Sequence, residues 1–136
     1  MYVTGSSESP GVLHDYATVA YDAATGGQAW VRRYDGPAHG DDWTTSIAVS
    51  PDGADVFVTG YSPGVGTSLD YATAAYDAAT GYELWLRRYD GIVHGNDWAW
   101  VVAASPADSR VFVTGHSKGA GAWNDQDYVT IAYATT

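Results

Sequence analysis

The hydrophobic and polar positions of this chain alternate with the two-residue period of β-strands. Segment 83–89, with the sequence ELWLRRY, is a typical example. Its two faces would carry Trp85, Arg87 and Tyr89 on one side and Leu84, Leu86 and Arg88 on the other. Turn-forming Gly, Pro and Asp residues separate such segments, and no apolar stripe continues at helical spacing for three turns. The pattern therefore predicts an all-β fold.

The chain contains an internal repeat with a constant offset of 55 residues. Segment 16–62 aligns with segment 71–117 without a gap, and 29 of the 47 aligned positions are identical. The shared motifs are YATxAYDAATG, WxRRYDG, HGxDW and VFVTG. Segment 2–5 is a partial copy of the motif VFVTG, and segment 128–133 is a partial copy of the opening motif YATxAY. A fixed period of this length is typical of propellers, solenoids and other repeat arrays.

Each repeat is predicted to form four antiparallel strands. In the later copy they lie at 98–105, 110–114 and 128–133, and segment 83–89 supplies the fourth strand one copy earlier. The small apolar residues of 98–105 predict a strand that is buried on both faces. Four antiparallel strands that repeat radially form a β-propeller blade.

The strands of the whole chain group as three, four and three, which is about two and a half blades. The predicted organisation is one repeat domain, 1–136, with a partial blade at 1–36, a complete blade at 37–91 and a partial blade at 92–136. Closed propellers have four to eight blades. We therefore expect a fragment of a longer protein, a ring closed by self-association, or a short open array.

The repeated pattern AxDxxTGxxxW resembles the tryptophan-docking motif of PQQ-like β-propeller repeats. The structural residues that carry it are Asp22, Gly26, Trp30, Asp77, Gly81 and Trp85. The resemblance implies that each Trp packs between adjacent blades and that the Thr-Gly turn receives it. It implies the fold more than the cofactor, because many members of the family bind no quinone. The wording VFVTGYS and AYDAATG is also similar to secreted bacterial repeat proteins, which implies an extracellular or periplasmic location.

Charge and composition exclude several classes of function. The chain has 16 acidic and 6 basic residues and a formal net charge of −10, so it is expected to repel nucleic acids. It contains no Cys, which excludes disulfides, thiolate metal sites and a cysteine nucleophile. No apolar run approaches the ~20 residues that span a bilayer, so we expect no membrane insertion.

Acidic loops are the candidate metal-binding feature. Their oxygens are of the type that Ca²⁺ prefers, but none has the spacing of an EF-hand loop. The calcium candidates are Asp41, Asp42, Asn96, Asp97, Asp125 and Asp127, with Asn124 beside the last two. Asp42 and Asp97 recur before a Trp in both copies, so a turn or strand-capping role is the competing interpretation.

Sequences that resemble catalytic motifs occur at equivalent positions of the repeat. Segments 60–64 and 115–119 both fit GxSxG, but the nucleophile elbow needs a helix after the Ser and a His later in the chain. No helix is predicted after either Ser, and no His lies beyond His116, which itself precedes Ser117. The repeated pair Arg32-Arg33 is interpreted as architectural, with each guanidinium pairing with Asp across strands. We therefore predict no catalytic and no cofactor-binding residue.

The resulting hypothesis is a non-enzymatic propeller scaffold or binding module, part of a larger exported protein, whose exposed Tyr and Trp side chains bind a protein or a glycan. The alternative is a segment of a PQQ-dependent quinoprotein dehydrogenase, with PQQ and Ca²⁺ at the ring centre. A third hypothesis is a purely structural spacer on a cell surface.

Overall fold

The computed structural model describes residues 1–8, 13–121 and 125–135, and Asn124 lies outside these ranges. The described residues form an all-β structure. Its strands are β1 (Tyr2–Glu8), β2 (His14–Tyr21), β3 (Gln28–Tyr34), β4 (Trp43–Val49), β5 (Asp55–Pro63), β6 (Leu69–Asp77), β7 (Glu83–Tyr89), β8 (Asp97–Ala104), β9 (Arg110–Lys118) and β10 (Gln126–Ala134). Within the described ranges, no helix is long and apolar enough to cross a membrane.

The strands form three antiparallel sheets. The first sheet has the order β1-β2-β3, the middle sheet β4-β5-β6-β7 and the last sheet β10-β9-β8. This arrangement confirms the predicted ten strands and their grouping as three, four and three. The register repeats as well, with the cross-strand pairs Ser7↔Asp15, Ser62↔Asp70 and Ser117↔Asp127 at equivalent places in the three sheets.

The turn after the third strand of each repeat is capped by its own Asp. Asp22 Oδ1 accepts hydrogen bonds from Thr25 N at 2.7 Å and Ala24 N at 2.9 Å, and Asp77 Oδ1 accepts from Thr80 N at 2.8 Å. The hydrogen bond from the Thr25 N–H is the main reason why the pKa of the Asp22 carboxyl lies below its usual range. The turns then leave Gly26 and Gly81 at φ values of 73° and 71°, a left-handed conformation that Gly adopts without strain.

The sheets pack face to face around two hydrophobic cores. One core lies between the first and middle sheets and includes Tyr16, Trp30 and Val58. The other lies between the middle and last sheets and includes Phe57 and Val113. The middle sheet is therefore covered on both faces.

This arrangement corrects the prediction for segment 98–105. Strand β8 is not buried on both faces, because Trp100 is 46% and Val101 50% exposed. The strands buried on both faces are β5 and β6. Position in the stack decides this burial, since only the middle sheet has a neighbour on each side.

Aromatic side chains of one sheet dock onto small residues of the next. Ala72 and Ala74 have no exposed surface, and the Tyr16 hydroxyl reaches Ala72 O at 3.2 Å. Trp30 is 6% exposed, and its indole N–H donates to Ala78 O at 3.0 Å. Burial raises the pKa of Tyr16 well above its usual range, so the phenol remains a protonated donor. The ring of Trp30 lies on Gly81, where an added Cβ would be 2.6 Å from its Cδ2 atom.

Gly81→Ala is expected to destabilise the protein more than Gly26→Ala. Both substitutions force Ala into a left-handed conformation, at a cost of about 1–2 kcal/mol. Only at Gly81 would the new methyl group also meet Trp30, because nothing lies within 4 Å of a Cβ at Gly26. We expect a further loss of about 1–3 kcal/mol at Gly81, measured by urea unfolding. Equal losses in the two variants would contradict this packing of Trp30.

Candidate functional site

Two equivalent groups of three carboxylates lie at the junctions between consecutive sheets. The first acidic triad is Asp15, Asp35 and Asp42, and the second acidic triad is Asp70, Asp90 and Asp97. In each triad, one oxygen of every carboxylate lies within 4.8 Å of the others. Each triad combines two acids of one sheet with the acid beside the first strand of the next sheet, so the folded stack assembles it.

The third acid of each triad is fully buried and held by a glycine N–H. Asp42 and Asp97 have no exposed surface. Gly36 N donates to Asp42 Oδ2 at 2.7 Å and Gly91 N to Asp97 Oδ2 at 2.6 Å. A Cβ on either glycine would lie 2.8 Å from the Oδ1 atom of the same carboxylate, so close approach requires Gly at both positions.

The two triads differ in the second hydrogen bond to this buried acid. Lys118 N donates to Asp97 Oδ1 at 3.2 Å. The equivalent residue of the earlier copy is Pro63, which has no N–H, and Asp42 Oδ1 accepts no hydrogen bond. The Ser62 Oγ atom lies nearby, 3.4 Å from Pro63 O. Asp42 therefore lacks the second backbone N–H donor that Asp97 has.

Burial raises the pKa of Asp42 above its usual range, and the negative charges of Asp35 and Asp15 contribute to the increase. The Gly36 N–H and the Ser62 side chain oppose this effect. An acid whose pKa is raised by folding destabilises the folded state once the pH exceeds the unfolded pKa. Ionisation of Asp42 is therefore unfavourable for the folded state above the pKa that this carboxyl has in the unfolded chain.

Arg88 links the second triad to the first sheet. Its Nη2 atom lies 2.8 Å from Asp70 Oδ2 and 2.8 Å from Ser62 O. Its Nη1 atom donates to Tyr34 Oη of the first sheet and to Ser62 Oγ. Asp70 is 4% exposed, so the half-buried guanidinium of Arg88 is the counter-charge of a buried carboxylate, in line with the predicted Arg-Asp pairing. The prediction is wrong for Arg32, which donates to the backbone carbonyls of Gly81 and Thr80. Arg33, at the equivalent place, is exposed and donates to Ser7 Oγ at 3.1 Å.

Arg88→Met is expected to lower the free energy of unfolding by about 3–5 kcal/mol, because it leaves the buried Asp70 carboxylate without its counter-charge. Arg88→Met combined with Asp70→Asn should recover part of this loss. The matched control is Arg33→Met, for which we expect less than about 1 kcal/mol, since exposed pairs contribute little. Denaturant unfolding gives the free energy of unfolding of all three variants. Equal losses of this free energy in Arg33→Met and Arg88→Met would contradict the proposed difference between the two arginines.

Asp41 and Asn96 are not triad members. Asp41 Oδ1 accepts hydrogen bonds from His14 N at 2.9 Å and His14 Nδ1 at 3.0 Å. The backbone N–H of His14 is the main reason why the pKa of Asp41 lies below its usual range. Asn96 Oδ1 accepts from Leu69 N at 3.4 Å. Asp41 therefore caps the start of β2, and Asn96 caps the start of the equivalent strand β6.

Asp125 and Asp127 lie apart from both triads. Asp125 Oδ2 accepts from Gly121 N at 2.7 Å, so it organises its own loop. Asp127 pairs in register with Ser117, as Asp70 pairs with Ser62, and thus occupies the position of a first triad acid. Of the predicted calcium candidates, the triads include only Asp42 and Asp97. The other four triad acids were not among the predicted candidates, although they recur at the repeat offset: Asp15, Asp35, Asp70 and Asp90.

A partly exposed aromatic cluster lies near the start of β8. It consists of Tyr61, Trp98, Trp100 and His116, whose ring centroids lie 4.7 to 6.3 Å from their neighbours in the cluster. The Trp100 indole N–H donates to His116 Nδ1 at 3.1 Å. Trp98 Nε1 and His116 Nε2 are buried without a hydrogen-bond partner. The cluster therefore combines apolar ring faces with polar groups.

The aromatic cluster departs from the repeat at two of its members. Thr45 occupies the position equivalent to Trp100, and Tyr61 the position equivalent to His116. Trp100 is the extra residue where the register shifts between Ala99 and Val101, and such bulges re-aim a side chain. The signal that could have identified this site is the set of mismatches between the copies, which the sequence analysis did not use.

A cavity and two serines lie at positions that are equivalent in successive repeats. A cavity of ≈ 270 Å³ lies between the turns 50–55 and 104–110. The two GxSxG serines lie on strands, where Ser62 is fully buried and Ser117 is 5% exposed. Neither serine precedes a helix in the described part of the chain.

Comparison with known proteins adds no relative to these observations. No protein-family model, curated protein or solved structure matches the chain.

Proposed function

We propose that the chain is a β-propeller-type repeat module that binds a neutral glycan through the aromatic cluster of Tyr61, Trp98, Trp100 and His116. The observation that carries the proposal is that this exposed cluster departs from the repeat. Residues that recur in every copy, such as Trp30 and Arg88, have architectural contacts. Trp100 and His116 differ from their counterparts and meet at the surface.

The propeller assignment is supported by the arrangement of equivalent sheets. Four antiparallel strands in sequential order form the middle sheet, as in a propeller blade. The first strands of two consecutive repeats, β4 and β8, lie against each other. In a propeller the first strands of successive blades are close together near the central axis. The aromatic cluster would then lie near the mouth of the central channel.

A glycan suits this site better than the other classes of ligand. Four side chains are few compared with the 20–30 residues that each partner contributes to a stable protein interface. Anionic polymers are disfavoured by the net charge of −10. A neutral sugar presents apolar C–H faces to aromatic rings and hydroxyl groups to polar ones, and Trp and Tyr commonly dominate binding energy.

Replacement of the cluster by its counterpart from the other copy tests the proposal. The variant Trp100→Thr/His116→Tyr introduces the residues present at positions 45 and 61, so it should fold normally. We expect the unmodified chain to bind members of an array of neutral glycans and the double variant to lose at least about tenfold in affinity. Quenching of tryptophan fluorescence provides the titration.

The matched control is Trp43→Ala, which removes another Trp that is 40% exposed and lies outside the cluster. It should retain glycan binding. Absence of binding to every neutral glycan, or equal loss in the control and the double variant, would contradict the proposal. If the chain binds a protein and the double variant binds that protein equally well, the recognition surface lies outside the aromatic cluster.

We also propose that copies of the chain associate head to tail. Phe57 and Tyr71 are fully buried by the last sheet, whereas the equivalent Phe112 and Tyr128 are 39% and 85% exposed. On the opposite face of the stack, Val3 is 48% exposed although its equivalent Val58 is buried. The last sheet thus presents the face that docks, and the first sheet the face that receives it. Two copies would supply six sheets, within the four to eight of closed propellers.

Light scattering on a sizing column is expected to give a discrete oligomer, with a dimer as the simplest ring. Tyr128→Glu should reduce the mass to that of a monomer, because it places a charge in the docking face. Tyr82→Glu is the control, since Tyr82 is 69% exposed and lies in a turn. A monomeric unmodified chain would refute this mode of closure.

A further inference from the structure

The spacing of the acidic triads fits a cation of the size of calcium. Calcium binds oxygen ligands at about 2.4 Å, so two ligands on opposite sides of the ion are separated by about twice this distance. The three carboxylates of each triad offer oxygens that lie within 4.8 Å of one another. One ion can therefore contact all three without a change in the backbone.

Unpartnered oxygens provide an independent indication of a ligand. Asp70 is 4% exposed, its Oδ2 atom accepts from Arg88, and its Oδ1 atom is buried without any hydrogen-bond partner. Asp90 Oδ1 is also buried without a partner, while its Oδ2 atom pairs with His94 Nδ1. Buried carboxylate oxygens are normally hydrogen-bonded or bound to a metal ion. Two oxygens of the same triad thus lack a partner that a cation would provide.

The charge of the second triad is incompletely compensated. Arg88 bonds to Asp70 Oδ2, and His94 Nδ1 lies against Asp90 Oδ2. Asp97 accepts from the backbone N–H groups of Gly91 and Lys118, which carry no formal charge. A divalent cation would offset the negative charge that three neighbouring carboxylates create. In the first triad, Asp42 has no exposed surface and also has an unpartnered oxygen, Oδ1. The same requirement thus recurs one repeat earlier.

We propose that each acidic triad binds one divalent cation of the size of Ca²⁺, so that an ion lies at each junction between consecutive sheets. Each ion joins the third and fourth strands of one repeat to the first strand of the next. Its function is to stabilise the stacking of the repeats, and it is independent of glycan binding by the aromatic cluster. With only three protein carboxylates, the affinity is expected to be weak, with a dissociation constant on the order of 0.1–1 mM.

The test is calorimetric titration of the chelator-treated full chain with CaCl₂ at physiological ionic strength, together with thermal unfolding. We expect two ions per chain and an increase in Tm of at least about 3 °C at about 10 mM CaCl₂. Asp90→Asn should reduce the stoichiometry to one, and Asp35→Asn combined with Asp90→Asn to zero. These acids are the less buried members of their triads, and Asn preserves their shape.

Asp108→Asn is the control, because Asp108 is an exposed turn residue and the variant has the same change in net charge. It should retain both ions and the full increase in Tm. Absence of calcium binding by the unmodified chain, two ions still bound by the double variant, or an equal loss in the control would each overturn the proposal. The stoichiometry is measured on folded protein, so a modest loss of stability in a variant does not obscure the result.

Discussion

The close approach of the three sheets is the constraint on which the rest of this structure depends. Ala72 and Ala74 provide a flat face on β6, and Tyr16 and Trp30 fill the space above it. Burial of these aromatic rings provides hydrophobic free energy, while their polar atoms satisfy carbonyl groups of the neighbouring sheet. Because the partners belong to different repeats, no single repeat can bury its own docking residues. Stability is thus a property of the stack, as in other repeat proteins.

The polar groups at the sheet junctions are a consequence of the same stacking. Asp70 and Arg88 belong to the middle sheet, but Arg88 reaches Tyr34 of the first sheet, and Asp97 of the last sheet completes the triad. Stacking removes these charges from water, which is costly unless each has a partner. The glycines beside Asp42 and Asp97 permit backbone N–H groups to supply part of this compensation. The remaining unpartnered oxygens are the basis for the proposed cations.

Differences between the copies are the basis for the proposed binding site. Identical residues that lie between two packed sheets can have equivalent contacts, as the buried Tyr16 and Tyr71 show by donating to Ala72 O and Val129 O. Substitutions between copies change the local chemistry: Pro63 in place of Lys118 deprives a carboxylate of a donor, and Trp100 in place of Thr45 creates an exposed aromatic surface. In a repeat protein, a departure from the repeat that gathers several side chains at the surface is a more specific sign of binding than any recurring motif.

The sequence by itself determined the ten strands, their grouping and the residues that recur at each docking turn, because period-two patterning, turn residues and a 55-residue offset are local properties of the chain. It also indicated the Arg-Asp pairing realised by Arg88 and Asp70. It did not indicate which strands are buried on both faces, since β5 and β9 share the motif VFVTG and differ in burial because only β5 lies in the covered middle sheet. Only the tertiary structure brought Asp70, Asp90 and Asp97 together. These acids are separated by up to 27 positions, and their proximity depends on how one sheet packs on the next.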